Sequence, residues 1–175
     1  MATVTRQHEG AEGVVAGYAP DSERPPLGSY AALTAVFTAG FAGTIVAAHR
    51  SGRLPERVGM DDVVLIGTAS HKLSRLVSKK KVTAFLRAPF TKYEGSGGPA
   101  ELEERPRGRG PQRAIGELIA CPYCLDLWSA AAFHAGLLWA PRVTRLIAST
   151  LTALTLSDFL QLAFRAAEEK SLGDG

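Results

Sequence analysis

The stretch YAALTAVFTAGFAGTIVAA, from Tyr30 to Ala48, decides the fold, because it contains nineteen residues in a row without a charged side chain. A helix of this length rises ~1.5 Å per residue and, with its flanks, crosses a hydrocarbon layer of roughly 30 Å. Prolines precede the stretch, and His49 and Arg50 follow it, as is typical of a membrane boundary. We therefore predict a first transmembrane helix over residues 30–48, after a polar, disordered tail over residues 1–29.

Two further apolar stretches have a similar length. Residues 118–140 are interrupted only by Asp126 and His134, and residues 146–164 only by Asp158. The short segment between them allows only a tight connection, so the two helices are predicted to be antiparallel neighbours. A polar tail over residues 165–175 follows the last helix.

Residues 60–78 are a weaker candidate, because charged side chains enter the second half of the segment. Leucines and alanines recur there at helical spacing, and one side of the helix is polar. Such a helix either crosses the membrane with its polar stripe turned inward or lies in the plane of the interface. We favour the crossing alternative, since Lys72 and Arg75 lie close enough to the end of the segment to reach the interface.

Together these segments predict an all-α fold, a small transmembrane bundle of about four helices. The connection over residues 79–117 carries nine Lys and Arg residues, which places it in the cytoplasm. Four spans put both termini in the cytoplasm, whereas three put the amino terminus outside. The Gly-rich and Pro-rich part over residues 94–111 is expected to be a mobile loop. The net charge of +3 is better explained by anionic lipid headgroups than by nucleic acid, since no aromatic platform accompanies the cations.

Small side chains recur every four residues along the first predicted helix and, more briefly, along the third. The positions in the first helix are Ala31, Ala35, Ala39, Gly43 and Ala47, and those in the third are Ala132, Gly136 and Ala140. Such stripes let two helix backbones approach closely. They serve either packing within the chain, which we favour, or a homo-oligomer.

Ionisable side chains in hydrocarbon usually face a partner or water. Lys72, Arg75, Asp126 and Asp158 are predicted to lie together beneath the cytoplasmic face, with His71 beside them. The cluster is best interpreted as paired charges that fix helix register, because a proton or ion path needs polar groups through the whole membrane. A small transporter is disfavoured for the same reason.

The only two cysteines lie in Cys121-Pro122-Tyr123-Cys124. If Pro122 starts a helix, Cys121 is its N-cap, and the unpaired amides there favour the thiolate. Cys124 would then be the resolving thiol of an oxidoreductase. A zinc site needs four ligands, and His71 is an improbable third. The alternative that we favour over both is a purely structural pair, in which two small side chains flank a proline that starts or bends a helix, and we assign no catalytic residue, metal or cofactor.

An ordered series of motifs resembles the bacterial domain-of-unknown-function family thirteen-sixty, which consists of small membrane proteins. The series is HKLSRLV (71–77), KVT (81–83), LRAPFT (86–91), RGRG (107–110), GEL (116–118), CPYC (121–124) and Trp128. The resemblance implies a multi-pass inner-membrane protein with a domain over residues 60–164 and no assigned activity. It marks Arg75, Arg87, Glu117, Cys121, Cys124 and Trp128 as signature positions. Asp126 departs from it, since a glycine is expected shortly after the second cysteine.

Pro89 excludes a helix that continues through Ala88, so the segment up to Phe90 is predicted to dock on the membrane surface, with Arg87 reaching a phosphate or Glu117. The signature then forms one cytoplasmic lid. The candidate binding residues are His71, Lys72, Arg75, Arg87, Pro89, Phe90, Glu117, Asp126, Trp128 and Asp158. These features indicate a protein that interacts with an unknown partner or assembles through its cytoplasmic face rather than an enzyme. The alternative is a membrane thiol-disulfide oxidoreductase.

Overall fold

The computed structural model describes residues 17–20 and 24–173, most of which are helical. The helices are α1 (Leu27–Arg50), α2 (Met60–Lys79), α3 (Ala84–Arg87), α4 (Gly110–Ala120), α5 (Pro122–Trp139) and α6 (Pro141–Gly173). The strands are β1 (Thr91–Ser96) and β2 (Leu102–Pro106), and a 3-10 turn over Lys81–Thr83 precedes α3. Most of the predicted amino-terminal tail lies outside the described residues. The segment assigned to a carboxyl-terminal tail continues α6 as far as Gly173.

Within the described part of the chain, two helices are long and apolar enough to cross a membrane, namely Leu27–Arg50 and Pro141–Ser171. Only 6% and 17% of the residues in their most apolar windows are buried inside the protein. Large side chains on them, such as Phe41, Phe159 and Leu160, are exposed. Apolar surface of this extent marks a contact with membrane or with protein. Crossing by α2 and α5 stays a prediction.

Contacts between α1 and α5 show that these two helices run in the same direction. Phe37 of α1 packs edge-on against Trp128 near the start of α5, with ring centroids 5.2 Å apart. Beyond the end of α1, the guanidinium of Arg53 lies 4.9 Å from the ring centroid of Trp139, the last residue of α5. The starts of both helices therefore lie at one end of the bundle.

Ion pairs show that α2 and α6 run in the same direction, which is opposite to that of α5, because only Ala140 separates α5 from α6 and Gly136 lies against Thr144. Arg145 near the start of α6 contacts Asp62 near the start of α2 at 2.8 Å. Further along both helices, Lys72 contacts Asp158 at 2.6 Å. The end of the bundle where α1 and α5 begin is called the lid end, and α2 and α6 run towards it. The opposite end is called the far end. The four long helices thus alternate in direction along the chain.

The core lies between α2, α5 and α6. Its buried apolar side chains are Ile66, Ala69, Phe133, Ala148 and Leu151. A Cβ atom added at Gly136 of α5 would lie 2.6 Å from Oγ1 of Thr144 in α6, so the absence of a side chain lets these helices approach closely. Gly136, a member of the small-residue stripe of α5, therefore serves packing within the chain.

The small-residue stripe of α1 is not used in this way, contrary to the alternative that we favoured. Its five members are all exposed, and α1 packs instead through a different side that includes Leu33, Phe37 and Ala48. The reason is that α1 docks through bulkier side chains on α4 and α5 rather than through a close backbone approach. A homo-oligomer formed by this stripe stays a prediction.

The predicted mobile loop over residues 94–111 is wrong, because most of that segment is ordered secondary structure. β1 and β2 form an antiparallel hairpin from Thr91 opposite Pro106 to Ser96 opposite Leu102, with a bulge at Glu94. The fold is therefore mostly helical but not all-α. Low apolar content suggested disorder, whereas polar contacts hold this hairpin in place, including Arg75 of α2 with Glu101 at 2.8 Å. We call residues 80–121 the lid, which covers the lid end of the bundle.

Candidate functional site

Arg87 is fully buried at the centre of the lid. Its guanidinium forms an ion pair with Glu104 of β2. It also donates to the carbonyl oxygens of Val77 at 2.5 Å and Lys80 at 3.2 Å, and to Oγ1 of Thr83 at 3.0 Å. The last carbonyls of a helix have no partner within the helix. Arg87 therefore caps the end of α2 and fastens it to the hairpin.

Glu117 has a different role from the one that the sequence suggested. It accepts a hydrogen bond from the hydroxyl of Tyr30 in α1 and one from Nε of Arg113 at 2.9 Å. The expected contact between Arg87 and Glu117 is not formed, because the guanidinium of Arg87 is occupied by Glu104 and the carbonyls of α2. Glu117 instead attaches the start of α1 to α4 of the lid.

The turn at Pro89 and Phe90 is seated against α4. The carbonyl oxygen of Pro89 accepts hydrogen bonds from Nε of Arg107 at 3.1 Å and from the side chain of Gln112 at 2.9 Å. A Cβ atom added at Gly116 would lie 2.5 Å from the carbonyl oxygen of Phe90, so this position needs glycine. The turn is thus part of the folded lid, whereas docking on the membrane surface stays a prediction.

An apolar surface remains exposed beside this turn. Val82, Phe85 and Leu86 are all exposed, and the side chain of Phe85 is the largest of them. We call these three residues the lid patch. Since they lie on the segment that Arg87 fixes to α2, the lid patch has a defined position relative to the bundle.

The predicted cluster of four charges is assembled only in part. Lys72, whose side chain is 10% exposed, forms the ion pair with Asp158, as already described. Arg75 instead contacts Glu101 of the hairpin, at 2.8 and 3.0 Å. Oδ1 of Asp126 is buried and has no hydrogen-bond partner among the described residues. The hairpin thus supplies a carboxylate to Arg75 that a loop assumed to be mobile could not supply.

Glu101 is the residue that sequence reasoning missed at this place. Its carboxylate also contacts Nζ of Lys80 at 3.3 Å, so it lies between two cations. Burial alone raises the pKa of Glu101, but the hydrogen bonds and positive charges of Arg75 and Lys80 outweigh it and hold the pKa below its ordinary value. The sequence signal for this contact was the Glu-rich run over residues 101–104, together with the cationic residues at the end of α2.

The cysteine turn has the local geometry that the sequence predicts. α4 ends at Ala120, Pro122 is the first residue of α5, and Cys121 is its N-cap. The backbone amide of Cys124 donates to Sγ of Cys121 at 3.3 Å. Both cysteines are free thiols, and Cys124 is exposed. Within residues 17–20 and 24–173, no three His, Cys, Asp or Glu side chains are grouped to hold a metal ion.

Among the clefts near the lid, two are lined by residues singled out from the sequence. The polar cleft, of about 430 Å³, lies between α2, the hairpin turn and α6, and its lining includes His71, Arg75, Lys80, Glu101, Asp158 and Arg165. The apolar cleft, of about 380 Å³, lies between α1, α4 and α5, and its lining includes Tyr30, Phe37, Glu117, Cys124 and Trp128. Most of the residues singled out from the sequence thus surround the lid end.

These features define a class of protein: a small helical protein in which two helices could span a membrane and a hairpin lid is clamped on one end of the bundle. The model of the DUF1360 family, proteins of unknown function, matches residues 65–164, more than half of the chain. The chain belongs to this family, as the resemblance to family thirteen-sixty indicated. The matched range contains the whole lid but not α1. No curated protein and no solved structure matches the chain.

Proposed function

We propose that the chain is a bacterial inner-membrane protein that crosses the bilayer four times, keeps its lid in the cytoplasm and acts by interaction or assembly through that lid. The observation that carries this function is that the lid is a clamped, folded body with an exposed apolar patch. Residues that bind partners are commonly held on loops by a rigid scaffold. Buried Arg87 supplies such a scaffold, because it fixes the segment that carries the lid patch to α2 and to the hairpin.

The membrane placement is supported by the surfaces of the helices. α1 and α6 expose apolar side chains along most of their length. α2 buries polar side chains as well as the core residues Ile66 and Ala69, while Val63 and Val64 near its start are exposed. The buried polar residues of α2 are Ser70, Lys72, Ser74 and Ser78. A helix with its polar stripe turned inward suits a crossing segment better than an interfacial one.

The orientation is supported by the distribution of charge. The lid contains most of the Lys and Arg residues of the loop over 79–117, and the positive-inside rule assigns such a loop to the cytoplasm. The alternating direction of the four long helices brings the starts of α1 and α5 to the same end of the bundle. At the far end, the guanidinium of Arg53 contacts the ring of Trp139. An aromatic anchor beside a cation suits the opposite boundary of the membrane.

Site-specific photocrosslinking in living cells tests the interaction role. A photoreactive phenylalanine analogue at Phe85 is expected to give a discrete crosslinked protein product. The matched control is the same analogue at Tyr93, which is exposed on the hairpin but outside the lid patch. Lipid adducts alone at position 85, or equal protein products at both positions, would contradict a protein-binding role for the lid patch.

A thiol-disulfide oxidoreductase is the second candidate, and the amide hydrogen bond to Sγ of Cys121 favours it. In that reaction the Cys121 thiolate attacks a substrate disulfide and releases one substrate thiolate. The Cys124 thiolate then displaces the second, so that a Cys121–Cys124 disulfide forms and two electrons pass to the substrate. If Cys121→Ser loses the phenotype of the unchanged protein in cells while its lid remains folded, this result would support the oxidoreductase over the interaction role.

A further inference from the structure

The polar cleft lies where the hairpin turn meets the bundle. His71 and Arg75 of α2 form one wall, Gly98, Pro99 and Glu101 of the hairpin form the roof, and residues 155–165 of α6 form the other wall. Lys80 fixes the roof, because its Nζ donates to the carbonyl oxygen of Pro99 at 3.2 Å. The cleft is therefore built from three separate elements that the lid holds together.

Positive charge is in excess inside this cleft. Lys72 and Asp158 neutralise each other. Glu101 is one carboxylate shared by Arg75 and Lys80, so one positive charge there is not compensated. Arg165 adds another, since it has no ion-pair partner among the described residues. A phosphate group complements two such charges, because a guanidinium donates charge-assisted hydrogen bonds to phosphate oxygens.

Arg75 retains donors for such a ligand. Its contacts with Glu101 both use Nη2, and its side chain is 43% exposed. Asp158 is also partly exposed in the cleft. Its carboxylate can accept a hydrogen bond from a hydroxyl or ammonium group beside the phosphate. The cleft thus offers donors for a phosphate and an acceptor for a polar headgroup.

The apolar border of the cleft distinguishes a lipid from a soluble phosphate. Phe159 and Leu162 line it and are 65% and 61% exposed. They belong to the helix whose apolar surface continues from the cleft towards the far end. Acyl chains can cover this surface, whereas a soluble phosphate compound would leave it exposed to water.

We propose that the polar cleft binds one phospholipid, with its phosphate between Arg75 and Arg165 and its acyl chains along the apolar surface of α6. This assignment rests on the membrane placement proposed above. A basic loop attracts anionic headgroups in general. The polar cleft is, in addition, one defined site for a single lipid. The ligand joins the hairpin turn to α6 and so completes the attachment of the lid to the bundle.

Native mass spectrometry of the full-length protein in detergent, titrated with dioleoyl phosphatidylglycerol, tests the site. Arg165→Gln is expected to lower the affinity for the first bound lipid about fivefold, the effect of one cation beside an anionic lipid. Arg142→Gln is the matched control, because Arg142 is exposed on the same helix at the far end. The control is expected to bind lipid as the unchanged protein does.

Equal lipid binding by both variants, or an equal loss in both, would overturn the lipid site. Competition with inorganic phosphate provides a second arm. Displacement of the lipid by phosphate at a similar concentration would assign the cleft to a free phosphate compound instead. Fractionation of cells that express the same variants separates the two proposals. A protein recovered in the soluble fraction refutes the membrane placement itself. A membrane-bound protein whose lipid affinity is unchanged by Arg165→Gln refutes only the lipid site.

Discussion

Arg87 and Glu104 form an ion pair in which both side chains are buried, at 0% and 7% exposure. The pair joins the last residue of α3 to the second strand of the hairpin. Because Arg87 also binds the last carbonyls of α2, the helix end and the hairpin depend on the same guanidinium. This relationship explains why a polar, glycine-containing segment is folded.

Breaking this pair is expected to release the lid. Glu104→Gln leaves a buried guanidinium without its carboxylate, which costs about 3–5 kcal/mol for a buried pair. The protein in detergent should then be cleaved within the lid by a low concentration of protease. Glu94→Gln is the control, because Glu94 forms an exposed pair with Arg105 and should lose less than about 1 kcal/mol. Equal protease resistance of both variants would refute the clamp.

The contact of the hairpin with α2 is expected to weaken in acid. The pKa of Glu101 lies below its ordinary value of 4.5, so its contribution to stability is complete above that value. This contribution is lost as the pH falls from about 4.5 through the lowered pKa of the folded state. Hydrogen exchange of the backbone amides of Gly97 and Glu101, which are hydrogen-bonded in the hairpin turn, measures it between pH 7 and pH 3.5, and Glu101→Gln should remove most of the dependence. An identical pH profile in that variant would contradict the role of Glu101.

Two glycines should respond in opposite ways to the same substitution. Gly136→Ala places a Cβ atom 2.6 Å from Thr144, and the resulting overpacking is expected to cost about 1–3 kcal/mol. Gly43→Ala meets nothing within 4 Å and is expected to be neutral or to stabilise α1 by up to about 1 kcal/mol. Thermal unfolding in detergent compares them. Equal effects would show that α5 and α6 do not approach as closely as described.

The cysteine turn separates the two candidate functions. Serine is a good N-cap, so Cys121→Ser should retain stability, whereas Cys121→Ala should cost about 1 kcal/mol. If the lid acts by interaction, the crosslink from position 85 persists in Cys121→Ser. Should that variant keep its stability and its crosslink but lose its phenotype in cells, the thiol chemistry is required and the interaction role alone is insufficient.

Sequence periodicity and apolar length were sufficient to locate the four long helices, but not α3, α4 or the last turns of α6. The start of α5 at Pro122 and the approach of Lys72 to Asp158 could also be anticipated, because both follow from residue chemistry within predicted helices. The hairpin could not, since its stability comes from ion pairs between residues distant in sequence. The sequence therefore does not single out Glu101 or Glu104, and it predicts a contact of Arg87 with Glu117 that is not formed. The exposed stripe of α1 was misjudged for a related reason, because the sequence does not show which side of a helix is packed.

The sidedness of the lid is tested most directly by labelling single cysteines in sealed spheroplasts with a membrane-impermeant thiol reagent. In a background with Cys121→Ser and Cys124→Ser, Leu54→Cys reports on the far end and Tyr93→Cys on the lid, and both positions are exposed. We expect Leu54→Cys to react in sealed spheroplasts and Tyr93→Cys to react only after permeabilisation. Reaction of Tyr93→Cys in sealed spheroplasts would contradict a cytoplasmic lid.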